Sequence, residues 1–120
     1  MPYSVLVCDG DPLRCETIAA YLTAFGFVAR SFTDEAQALD AFREDAQQFD
    51  LVITSAASLW RSVRAMWPTI DVIQIAESEP NLRPSVLTPG VVVVGSPITD
   101  SSLKRAIALV LTSGLTRRAA

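Results

Sequence analysis

The sequence predicts an α/β fold: a doubly wound sheet of five parallel strands, with shortened third and fourth helical segments. Three observations carry this. Short apolar, β-branched runs alternate with longer amphipathic runs, which is the order of βαβ units. Five strands and their crossovers fill 120 residues, the size of one domain that can bury a core without metal or disulfide. Helix-start signals also follow directly on strand ends, as in Cys8-Asp9-Gly10-Asp11-Pro12.

Tyr3–Cys8 (YSVLVC) is the first strand, apolar on both faces as a central parallel strand requires. Asp11 then Pro12 reads as an N-cap with proline at the first helical position, where its missing N–H costs nothing. That helix runs to Phe25 with Ile18, Tyr21, Leu22 and Phe25 on one face, and Gly26 supplies a left-handed cap. Phe27–Phe32 is the second strand. Thr33 or Asp34 caps a second helix through about Ala46, with Ala38, Leu39, Phe42 and Ala46 as its stripe.

Leu51–Thr54 (LVIT) is the third strand. A short third helix starts at Ser58, carries Leu59, Val63 and Met66 with Trp60 and Trp67, and stops at Pro68. Asp71–Ala76 (DVIQIA) is the fourth strand. Glu77–Gly90 holds three of the seven prolines, so the fourth helix is expected to be short, displaced or lost. Val91–Val94 is the fifth strand. Thr99 or Asp100 caps a last helix with Leu103, Ile107 and Val110 inward, ending near Gly114. The domain is thus expected over 1–114, with 115–120 a tail or the start of a linker.

Composition narrows the function. The net charge of −3 repels phosphate backbones, so nucleic acid is a poor partner for this domain alone. Histidine is absent, which removes the commonest general base and the commonest zinc ligand. Cys8 and Cys15 are too few for a disulfide scaffold and read as inert thiols rather than a redox pair. No apolar run, Val91–Val94 among them, approaches the ~20 residues of a membrane span. Met1-Pro2-Tyr3-Ser4 shows no signal-peptide pattern, so a cytoplasmic location is expected.

Ligands of doubly wound sheets sit at the carboxyl ends of the strands, where the strand order switches. The residues to weigh there are Asp9, Gly10 and Asp11, then Ser55, Ala76 with Glu77, and Gly95 with Ser96. Asp9 and Asp11 are the metal candidates, against the plainer reading in which Asp11 caps a helix and Asp9 is solvated at the sheet edge. Ser55 is a ligand contact or simply a strand end. Trp60 and Trp67, two helical turns apart, share a face as core or as partner anchors. Arg61 and Arg64 share one solvated side of the third helix, and Arg117 with Arg118 is a weak basic pair.

The runs VLVCDGDPLR, LTAFGF and DLVIT, with GSP before the last helix, resemble a bacterial response-regulator receiver domain, a flavodoxin-like (βα)5 fold. The resemblance spans Tyr3 to about Leu111. It implies phosphoryl transfer from a histidine kinase to an aspartate after the third strand, with Mg²⁺ held by paired acids. The residues at those positions depart from the pattern. The acceptor falls on Ser55, and the acidic pocket on Asp9, Gly10 and Asp11. The hydroxyl after the fourth strand falls on Ala76, and the aromatic switch on Val93. The lysine falls on Ser96, with the following proline kept as Pro97.

Nucleophile, one metal carboxylate and phosphate counter-charge are therefore all replaced. The resemblance implies a pseudo-receiver, a non-enzymatic module of a bacterial two-component or phosphorelay pathway. It is expected to act by phosphorylation-independent contact with a signalling protein or with itself as a homodimer. The contact surface is expected on the fourth-to-fifth strand face and the last helix. No cofactor is expected, and Mg²⁺ binding is weak or absent. Two other readings stay open: a working receiver with a non-standard acceptor, and a flavodoxin-like small-ligand-binding domain. Against the last, the Asp9-Gly10-Asp11-Pro12 loop is acidic where a phosphate cradle needs glycines and hydroxyls.

Overall fold

The sheet is organised around β1 (Ser4–Cys8), which has β2 (Val28–Phe32) on one side and β3 (Leu51–Thr54) on the other, both parallel. β3 continues to β4 (Asp71–Ala76) and β4 to β6 (Val91–Gly95), again in parallel. The computed structural model describes residues 3–45, 48–76, 83–84, 91–95 and 98–119, with 83–84 and 112–119 given by backbone alone. Within these residues the strand order is β2-β1-β3-β4-β6-β5, where β5 is Arg83–Pro84.

β5 (Arg83–Pro84) is the element that the expected five-strand sheet lacked. It pairs antiparallel with the outer edge of β6, Arg83 opposite Val93 and Pro84 opposite Val92. A proline suits such an edge, where no further ladder needs its missing N–H. The rest of 77–90, and the partner surface expected there, lies outside the described residues.

Alternating side chains divide the sheet into two apolar faces. On one, Val5, Val7, Ile53, Ile73 and Val94 meet Ile18 and Leu22 of α1 (Pro12–Ala24) and Leu103, Ala106 and Val110 of α4 (Asp100–Ala119). On the other, Leu6, Val52 and Val72 meet Ala38 and Phe42 of α2 (Glu35–Glu44) and Leu59, Trp60 and Val63 of α3 (Ala57–Met66). Helices thus cover both faces, as the doubly wound reading requires. Among the described residues no helix is long and apolar enough to cross a membrane.

The local signals act where expected. The Asp11 carboxylate accepts from the Leu13 N–H at 3.0 Å and Pro12 opens α1. The Asp34 carboxylate accepts from the Ala36 N–H at 2.8 Å and caps α2. α1 ends in a Schellman pair: the Phe27 N–H reaches the Leu22 carbonyl at 2.9 Å and the Gly26 N–H the Thr23 carbonyl at 3.0 Å. Gly26 takes φ +91° to make that turn.

Several expectations need correction. α3 starts at Ala57, one residue before Ser58, and its N-cap Ala56 offers no side-chain bond. The Ser58 hydroxyl instead donates to Glu35 Oε1 at 2.6 Å, joining α3 to the start of α2. α4 continues through Gly114 to Ala119. A single interior glycine costs a helix only about 1 kcal/mol, too little to stop it without a positive-φ turn behind it. Trp60 and Trp67 also do not share a face. Trp60 is buried on α3, whereas Trp67 is the C-cap, leaves helical geometry at φ −141° and is exposed.

Gly26 yields a test of the α1 terminus. A methyl group there meets no atom within 4 Å, so Gly26→Ala loses only the freedom to hold φ +91°. The expected cost is about 1 kcal/mol in urea unfolding, with an unchanged m-value.

Candidate functional site

The chain leaves β1 for β2 on one side and later returns to β3 on the other, so the switch in strand order lies between β1 and β3. Cys8 and Thr54 are paired at the ends of these two strands. The next residues, Asp9 and Ser55, therefore stand side by side at the carboxyl edge, where a crevice opens in such folds. Of the positions singled out from the sequence, the register sets Asp9 and Ser55 together at this edge.

Asp9 is not a solvated acid. It is 1% exposed and both carboxylate oxygens are engaged. Oδ1 accepts from the Asp11 N–H at 2.8 Å and from Arg14 Nη2 at 3.0 Å. Oδ2 accepts from Arg14 Nε. The result is a two-pronged guanidinium–carboxylate pair, the geometry in which arginine binds a carboxylate most strongly. Burial explains it: an ionised carboxylate taken out of water needs a counter-charge and bonds to both oxygens.

α1 delivers that counter-charge. The Asp11 cap and Pro12 set the helix's first turn directly behind the strand end, and Arg14 on that turn reaches back to Asp9. Sequence reasoning missed Arg14. The available signal was a cation three residues after the cap, on a turn that must face the strand it has just left.

Ser55 is half-buried and makes no hydrogen bond among the described residues. The buried hydroxyl is its neighbour, Thr54, whose Oγ1 accepts from the Ala56 N–H at 3.0 Å and turns the chain into α3. Ala76 closes β4 opposite Gly95, and Val93 is buried on β6 opposite Gln74. Neither Ala76 nor Val93 offers a hydrogen-bonding side chain. Ser96 and Pro97 lie outside the described residues.

An aromatic residue comes instead from α3. The Trp60 indole N–H donates to Gln74 Oε1 at 2.9 Å, and the Arg61 guanidinium sits 5.5 Å over the ring. The expected pair of solvated arginines is thereby split. Arg64 Nε donates to the Ile70 carbonyl at 2.8 Å, anchoring the turn between α3 and β4.

The two cysteines lie on opposite sides of the sheet. Cys8 packs with Leu6 and Phe42, and Cys15 with Ile18 and Leu22. Burial, then the neighbouring Cys15, Glu35 and Asp9, pushes the Cys8 thiol up to about 11, with the Thr54 hydroxyl opposing. Burial also raises Cys15, whose thiol donates to the Phe32 carbonyl at 3.4 Å. Both are protonated at neutral pH and poor nucleophiles.

The hard divalent cation that the receiver resemblance implies does not fit these donors. Asp9 is committed to Arg14, Gly10 has no side chain, and Asp11 Oδ1 caps α1. Among the described residues no three acidic, cysteine or histidine side chains gather closely enough to hold a metal ion. Among the described residues the site is a carboxylate paired with arginine beside a neutral hydroxyl, with no base in contact with that hydroxyl.

Two measurements follow. Arg14→Ala strands a buried carboxylate and is expected to cost about 3 kcal/mol in urea unfolding, most of it recovered in Asp9→Asn/Arg14→Ala. For Cys8, the folded state holds its proton more tightly than the unfolded state. Its contribution to stability is therefore complete below the unfolded value of 9.0 and is lost as pH rises towards about 11. The stability gap between wild type and Cys8→Ala should narrow across that window, read by urea titrations at successive pH values.

No protein-family model and no curated protein sequence matches the chain. Solved structures do. A response-regulator receiver domain from Clostridium thermocellum superposes with TM-score 0.75 at 19% identity, covering 92% of this chain and 94% of that one. The receiver domain of the hybrid histidine kinase CckA gives 0.73 at 22% identity, covering 90% and 98%. NtrX from Brucella abortus, solved with ADP, gives 0.77 at 20% identity over 99% of this chain but only 29% of its own. The shared order of parallel strands and covering helices leads to one conclusion: the chain has the fold of the response-regulator receiver domains.

Proposed function

We propose that this domain is a pseudo-receiver, a module of a bacterial two-component or phosphorelay pathway that acts by protein–protein contact without accepting a phosphoryl group. The observation that carries this reading is the closed Asp9–Arg14 pair beside Ser55. Transfer onto a receiver needs a carboxylate nucleophile and a cation bridging acid and phosphate. Here the nucleophile position is a hydroxyl with no base beside it among the described residues, and Asp9 already carries a positive partner.

The Trp60–Gln74 bond supports a fixed surface rather than a switching one. It ties α3 to β4 next to Val93, the position at which receivers resemble one another in carrying a mobile aromatic. A protein that signals by surface alone needs no second state. Its partner is then a signalling protein or a second copy of the chain, in the cytoplasm, and the domain has no catalytic reaction of its own.

The test uses Mg²⁺ with acetyl phosphate, and separately with beryllofluoride, while amide chemical shifts are followed. The expected result is an unchanged spectrum around Asp9, Ser55 and Ala76 and an unchanged intact mass. Saturable shifts centred on those residues, or a phosphorylated species lost in Ser55→Ala, would overturn the reading in favour of a receiver with an unusual acceptor.

A further inference from the structure

We infer that Arg14 is the resident cation of this strand-end site. Its guanidinium takes the place on Asp9 that a divalent ion would need and so competes with one for that carboxylate. The inference rests on the phosphorylation-independent reading and explains how the site maintains it.

Three observations bear on it. The first is geometric. Arg14 contacts both oxygens of Asp9, through Nε to Oδ2 and Nη2 to Oδ1, so an incoming ion would have to displace two charge-assisted bonds. The second is burial. The Arg14 side chain is 17% exposed and that of Asp9 1%, so water screens the pair little and cannot easily replace either partner. The third is the loop itself. Asp9 Oδ1 also holds the Asp11 N–H, and Asp11 in turn holds the Leu13 N–H, so the chain from strand to helix closes through the ion pair.

A receiver-like strand end with a missing acid could still bind a divalent ion weakly through its remaining carboxylate. The lost acid at Gly10 lowers the affinity. Arg14 does more, since it both occupies the remaining carboxylate and places a positive charge where the ion would sit. The consequence is a loop held in one arrangement without any ion.

Mn²⁺, whose paramagnetism broadens nearby amide signals, tests this on the whole chain. Wild type should show no broadening centred on Asp9. Arg14→Gln, which keeps a hydrogen-bonding group but removes the charge, should bind Mn²⁺ at least about tenfold more tightly, with broadening focused on Asp9 and Ser55. Arg14→Lys, which keeps the charge, should resemble wild type. If Arg14→Gln does not fold, Gly10→Asp decides. Its position is exposed and a Cβ there meets nothing within 4 Å, so the fold tolerates it. With Arg14 in place, Gly10→Asp should still exclude Mn²⁺; focused broadening in that variant would overturn the inference.

The two failures are distinguishable. If wild type and Arg14→Gln are equally silent, the role of Arg14 falls while the phosphorylation-independent reading stands. If wild type itself broadens around Asp9 and responds to acetyl phosphate, both fall.

Discussion

An ionised carboxylate buried where the strand order switches cannot stand without a counter-charge. Moving such a group out of water costs several kcal/mol even after the protein relaxes. In this chain the counter-charge comes from Arg14, on the first turn of α1 and five residues after the buried acid. That requirement fixes how β1 must hand over to α1. Asp11 caps the helix, Pro12 sets its first φ, and the first turn lies where the guanidinium reaches Asp9. The helix start, the loop and the charge balance form one arrangement, and removing any part strands another.

Around that edge, the sheet is held by bulk rather than by specific chemistry. β-branched residues of the central strands fill both faces, and α1 with α4, and α2 with α3, supply the facing apolar stripes. A few polar bonds then fix the rigid-body positions of the helices. Ser58 joins α3 to Glu35 of α2, Trp60 joins α3 to Gln74 of β4, and Arg64 joins the end of α3 to the Ile70 carbonyl. The first two cross between elements, and the third fixes the turn that follows α3.

The likeness to receiver structures at 14–22% identity over most of the chain follows from the same division. A core of this kind asks for residues that are apolar and of the right volume, which many sequences provide. Phosphoryl chemistry asks for particular carboxylates, a lysine and a metal at fixed places. A fold can therefore be shared by chains whose site residues differ, and function has to be argued from the site rather than the scaffold.

The sequence by itself determined the elements whose signals are local. The bounds of β3 and β4, the Asp11 and Asp34 caps and the left-handed Gly26 are all readable from neighbouring residues, because strand alternation, capping and chirality act within a few positions. The same reading brought Asp9 and Ser55 to one edge, since parallel strands place their carboxyl ends together. Only the tertiary structure decided what those residues are in contact with. Asp9 was readable as an acid but not as a buried one, and Arg14 not as its partner, because burial depends on what packs over the strand end. Trp60 and Trp67 lie two helical turns apart in sequence, yet one is buried and the other exposed, because α3 unwinds at Trp67. Local free energies of capping and alternation set the elements; desolvation, which depends on the whole packed molecule, set the contacts of the site.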